Sequence, residues 1–138
     1  QQNDGVQEDA RPLLHHAEAN RPPTGKLRLQ YWAEVGTVYR LHAELSAHIL
    51  SHLHIWSEET VRNRFHYREP GLNVMMVRVY RARQVYEIDE APEYAGCRSW
   101  IEMQETLSTA DLQPVLDDVA FAQTRQALCR ALAPSPLV

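Results

Sequence analysis

The chain has 138 residues, 44% of them hydrophobic and 23% charged, with a formal net charge of −4. That length sets one domain, or most of one, with enough apolar residues to bury a core. No apolar run approaches the roughly 20 residues that span a bilayer, the negative balance argues against a general nucleic-acid glue, and two cysteines, Cys97 and Cys129, make no disulfide framework.

Residues 1–26 are polar and carry Pro12, Pro22, Pro23, Gly5 and Gly25. They read as a loop or lid. A short helix over residues 13–19 stops at Arg21-Pro22-Pro23, where proline forbids continuation. Residues 27–38 then alternate. Leu27, Leu29, Tyr31, Ala33 and Val35 fall on one face, and Arg28, Gln30, Trp32 and Glu34 on the other, which is the period of a half-buried strand. Gly36 marks a bulge or the strand's end.

Leu41, Leu45, Ile49 and Leu53 recur every four residues and predict a helix with that apolar stripe. Ser57 before Glu58-Glu59 predicts a capped helix start, and Pro70-Gly71 the stop. Residues 72–82 have no polar face until Arg78 and Arg81 and predict a central strand covered on both sides. A tight turn and a short strand over residues 85–88 follow, then another strand over residues 98–103. Asp117 caps a last helix with Phe121, Leu128 and Leu132 on one side. Strands and helices mix without a βαβ rhythm, so the class is α+β, with residues 27–133 as one domain and 134–138 as a tail.

Six arginines (Arg62, Arg64, Arg68, Arg78, Arg81, Arg83) lie within residues 62–83 beside one acid, Glu69. Such a cluster suits a phosphate-facing surface. The competing reading is a solvated face whose arginines pair with Glu58, Glu59 and Glu87. Trp32, Trp56, Tyr80, Tyr94 and Trp100 lie on or beside the predicted strand ends, where aromatic faces stack on bases or anchor a core. Tyr94, in a Pro-Glu-Tyr-Ala-Gly loop, is expected to be the exposed one.

The catalytic signals are weaker. His48 and His52 have the spacing of a helical metal pair but lack the glutamate of a zincin motif, so they read as surface or satisfied histidines. Cys97 follows a glycine but no oxyanion motif accompanies it, so packing explains it better than catalysis. Glu87, Asp89 and Glu102 do not form a recognisable nuclease motif.

Two blocks carry a resemblance. One is His54-Ile55-Trp56-Ser57-Glu58-Glu59 followed by Arg64-Phe65. The other is Val77-Arg78-Val79-Tyr80-Arg81 followed by Pro92-Glu93-Tyr94-Ala95-Gly96-Cys97-Arg98-Ser99-Trp100. Together, and in this order, they resemble the uncharacterised bacterial domain-of-unknown-function family 1802, over about residues 27–132. The resemblance implies an upstream block, so the domain's first strands are expected to precede Gln1. The order of elements is also similar to the pseudo-barrel domains of the PUA, ASCH and EVE group, which bind RNA or modified bases in a cleft. That likeness implies a mixed or antiparallel partial barrel with flanking helices and a C-terminal helix.

The expected function is a cytoplasmic module that binds RNA or DNA, with a modified base as its finer target. Arg78, Arg81 and Arg98 are expected to meet phosphate, Tyr94, Trp100 and Trp56 to wall in a base, and Ser99 to bond its edge. No cofactor, metal or membrane is expected, and the oligomeric state is left open. The alternatives are a nuclease or Cys-dependent hydrolase completed by an N-terminal segment, and a protein-interaction domain in which the apolar strand over residues 74–79 lies exposed at an edge.

Overall fold

A computed structural model describes residues 5–94 and 100–132. Two long strands dominate it. β1 (Lys26–Leu41) runs antiparallel to β2 (Leu72–Asp89), from Leu41 opposite Leu72 to Lys26 opposite Asp89. A two-residue strand, β3 (Gln113–Pro114), adds to the far side of β2 opposite Arg81 and Tyr80. The α+β class holds, and the strands form an open three-stranded antiparallel sheet in the order β1-β2-β3.

The ribbon has two irregularities. Val35 pairs with Val77 and Val38 with Met75, so Gly36 and Thr37 oppose the single residue Met76, the bulge that Gly36 suggested. The second lies between Leu29 and Tyr31, whose partners are Tyr86 and Arg81. The turn predicted between residues 82 and 85 is this shift of register inside one continuous strand. Residues 85–88 are therefore the end of β2 and not a separate strand. Of the strand predicted over residues 98–103, residues 98 and 99 lie outside the described residues, and 100–103 carry no regular structure. β3 takes the place beside β2.

Among the described residues four α-helices accompany the sheet: α1 (Arg11–Ala19), α2 (Glu44–Ile49), α3 (Glu58–Phe65) and α4 (Asp118–Leu132). Both predicted caps form. The Thr60 amide donates to Ser57 Oγ at 3.2 Å, and the Ala120 amide to Asp117 Oδ1 at 2.7 Å. After α3 the chain turns through Gly71 at φ +132, where a Cβ would sit 2.7 Å from Arg40 Nη2. The start of the chain is docked: Val6 bridges to Trp56, and Gln7 Nε2 donates to the carbonyls of Ser51, His54 and Trp56.

The stripe predicted for the second helix is not its buried face. Leu41 ends β1, leaving only the six residues of α2, and these bury Ala47 and, at the C-cap, Leu50, while Leu45 and Ile49 are exposed. The core joins Leu41, Ala47, Leu50, Val61 and Leu128, with Val74, Met76 and Leu132 packed against it. α4 does present Phe121, Leu128 and Leu132 to this core side. Among the described residues no helix is long and apolar enough to cross a membrane.

The helices cover one face of the ribbon only. Residues of β2 with even numbers from 72 to 80 point to them, and the odd ones point away. Met75 and Val77 are consequently exposed, so the strand expected to be covered on both sides is covered on one. The chain exposes 11085 Å². A compact monomer of 15.9 kDa exposes about 7,400 Å².

Candidate functional site

Of the seven residues expected to form one site, five lie among the described ones. Arg78 and Arg81 are three apart on one strand and so leave it on opposite faces. Arg78 turns inward. Its guanidinium lies 4.4 Å from the centre of the Phe121 ring and donates to Asp118 Oδ1 at 2.8 Å, which makes it a tie between β2 and α4. Tyr94 is buried, which corrects the expectation of an exposed ring. Its hydroxyl donates to Glu105 Oε2 and accepts from the Gln104 amide, both at 3.0 Å. Trp100 is 72% exposed, and Trp56 stands half-exposed at the lip of a groove. Arg98, Ser99 and Cys97 lie outside the described residues.

Two surfaces do assemble chemistry. The first is the outer face of the ribbon. Tyr31 sits directly opposite Arg81, then come Ala33 opposite Val79, Val35 opposite Val77, Val38 opposite Met75, and Arg40 opposite Asn73. This stretch holds two arginines and no carboxylate. Tyr31 is 58% exposed, and among the described residues Arg81 has no acidic partner. At the Arg40 end, Arg40 Nη2 donates to the Pro70 carbonyl, tethering the turn that follows α3. That turn carries a second exposed aromatic, Tyr67, with Arg64 5.7 Å and Arg68 5.1 Å from its ring centre. Alternation in the sequence does not single out Tyr31. It groups this tyrosine with apolar neighbours, which in a half-buried strand implies burial. The signal for Tyr67 is local: an arginine three residues before it and another one after it.

The second surface is a groove of about 580 Å³ between the edge of β2, α3 and α4. Its walls are Val61, Val74, Met76, Phe121 and Leu128, its polar rim includes Arg64 and Arg125, and no Asp or Glu lines it. The volume is that of a small-ligand site. His54 stands at one end. Burial pushes its imidazole below the usual range, and the Trp56 amide donates to its Nδ1 at 3.1 Å. The neutral ring therefore carries its proton on Nε2.

The model of the family described as domain of unknown function (DUF1802) matches residues 1–127. The chain belongs to this family. No curated protein and no solved structure matches it.

In this DUF1802 chain several acids pair with histidines, arginines or a lysine. Glu87 pairs with Arg28 at 3.4 Å and Asp89 with Lys26 at 2.7 Å. Among the described residues no group of three or more His, Cys, Asp or Glu is arranged to hold a metal ion. His48, half of the predicted helical pair, lies between Glu44 at 3.5 Å and Glu58 at 3.7 Å. Glu44 also accepts from His66 Nε2 at 2.7 Å and from Arg62 Nε at 3.3 Å, which ties α2 to α3. The His66 hydrogen bond, with help from His48 and Arg62, holds the Glu44 carboxyl below its ordinary range. A lowered carboxyl stabilises the fold when ionised. Its contribution is present above the ordinary glutamate value and is lost as pH falls through the lower folded one. Urea midpoints of the wild type and Glu44→Gln should differ at neutral pH and converge below about pH 4. A gap that persists or widens in acid would contradict this assignment.

Proposed function

We propose that the chain is a nucleic-acid-binding module that uses the outer face of the β1–β2 ribbon. The observation that carries it is Tyr31 opposite Arg81 on a face without carboxylates, in a chain of net charge −4. An exposed tyrosine offers a stacking surface to an unpaired base, and an arginine without an acidic partner offers a contact to phosphate. Tyr67 between Arg64 and Arg68 repeats the combination at the far end of the ribbon. The ligand is single-stranded, because stacking on a flat sheet needs a splayed base. The finer expectation of a modified base in a walled pocket finds no support at Tyr94, whose ring is buried.

The test is fluorescence anisotropy with labelled single-stranded DNA and RNA at low salt. Tyr31→Ala is expected to weaken binding by about 1–3 kcal/mol, the worth of one stacked base. Arg81→Glu should also flatten the dependence on salt, by about one released counterion for each phosphate it no longer neutralises. The proposal fails if neither nucleic acid binds at low salt, or if both variants bind as the wild type does. A second reading, a protein-interaction domain, is favoured by the free edge of β2.

A further inference from the structure

β3 occupies only part of the outer edge of β2. The Val115 amide donates to the Val79 carbonyl at 2.9 Å, so Val79 points its backbone groups toward β3. Alternate residues of a strand point N–H and C=O to the same edge. Val77, Met75 and Asn73 therefore aim theirs along the same line. β3 cannot follow, because the chain leaves at Asp117 to cap α4. Among the described residues nothing pairs with these groups. Asn73, Met75 and Val77 also line the groove.

A row of unpaired amides and carbonyls at the repeat of a strand is read by another polypeptide backbone. The groove beside it decides the side chains. Its walls are apolar, and Arg64 and Arg125 stand on its rim without a carboxylate partner among the described residues. The bridge from β3 to Val79 shows that this edge already accepts a strand, and the free stretch continues it.

We propose that the edge of β2 over residues 73–77 takes up an extended polypeptide segment as an added strand, its alternate apolar side chains filling the groove and its carboxylates meeting Arg64 and Arg125. The occupant is a partner peptide of acidic, alternating character. It is held on the groove side of β2, independently of Tyr31 and Arg81.

The experiment uses a labelled heptapeptide, Glu-Thr-Val-Thr-Val-Thr-Glu, whose valines and glutamates share one face of an extended strand, with the full chain. Binding is expected to slow hydrogen exchange at the Asn73, Met75 and Val77 amides. It should be abolished when one of the two alternate sets of peptide amides is N-methylated. Replacing both glutamates of the peptide by lysine should weaken binding on the order of tenfold, and the exposed double variant Arg64→Glu, Arg125→Glu should recover it. Arg81→Glu should leave peptide binding unchanged, which separates this result from the fate of nucleic-acid binding. The proposal is overturned if the peptide does not bind, or if both N-methylated forms bind as well as the parent. It is also overturned if exchange at these amides slows with protein concentration alone, which would make the occupant a second copy.

Discussion

Leu50→Ala is expected to lower the free energy of unfolding by about 3 kcal/mol, whereas Leu45→Ala should change it by less than about 0.5 kcal/mol. Leu50 is 3% exposed and packs with Leu41, Ala47, Val61 and Leu128, while Leu45 is 71% exposed. Truncating a buried leucine removes its transfer energy and leaves space that neighbours fill only in part. The loss weighs heavily here because the core is thin. None of the described residues has a side chain less than 2% exposed, and the core cluster holds five buried residues. A domain of ordinary stability has about 5–15 kcal/mol in total. Urea unfolding followed by circular dichroism should show a midpoint lower by roughly 1–3 M for Leu50→Ala, given an ordinary denaturant slope. Equal midpoints for the two variants would mean that the helix packs on the face marked by its four-residue stripe.

Arg78→Ala should cost about 2 kcal/mol, and Asp118→Ala less than about 1 kcal/mol. The two residues form one ion pair, but their surroundings differ. The Arg78 side chain is 12% exposed and its partner carboxylate 97% exposed. A carboxylate in water adds little to an ion pair. The arginine is held by the Phe121 ring at 4.4 Å and the Tyr80 ring at 6.0 Å, and its stem covers apolar surface that would otherwise meet solvent. Its energy is therefore packing and cation–π attraction more than charge pairing. Arg78→Lys should recover only part of the loss, since an ammonium cannot lie flat on a ring. The comparison of urea midpoints decides it: losses of the same size for Arg78→Ala and Asp118→Ala would assign the energy to the ion pair.

The features that depend on neighbours in the chain are legible in the sequence. Ser57 and Asp117 cap helices because a side-chain oxygen needs only the amide three residues on. Gly36 marks the bulge, and the apolar run after Gly71 is a strand. The α+β class follows from the mixture of these elements. What depends on distant residues is not legible. Arg78 is drawn from solvent by Asp118 and Phe121, some forty positions away. Tyr94 is buried because Glu105 and the Gln104 amide satisfy its hydroxyl. Val85 continues β2 because the opposing strand is long enough to pair with Glu87, Ile88 and Asp89 after the register shift. Alternation groups Tyr31, Ala33 and Val35 correctly on one face, but the helices cover the other. Periodicity tells which residues share a face. It does not tell which face is covered.

The two long strands are not joined by a turn. Between Leu41 and its partner Leu72 lies the whole segment that carries α2 and α3, and between Lys26 and Asp89 a loop about twice as long. Closing the longer loop first costs only about 0.6 kcal/mol more than closing the shorter, by chain entropy alone. Order of assembly is thus decided by what each end gains on meeting. The Leu41/Leu72 end gains Val38 beside Met75 and Val35 beside Val77, and the other end gains Leu29 beside Tyr86, Leu27 beside Ile88 and two solvated ion pairs. Such long-range pairing places the chain among the slower folders of its size. The helical segment that helps to wall the groove is also the shorter of the two loops that the ribbon must close.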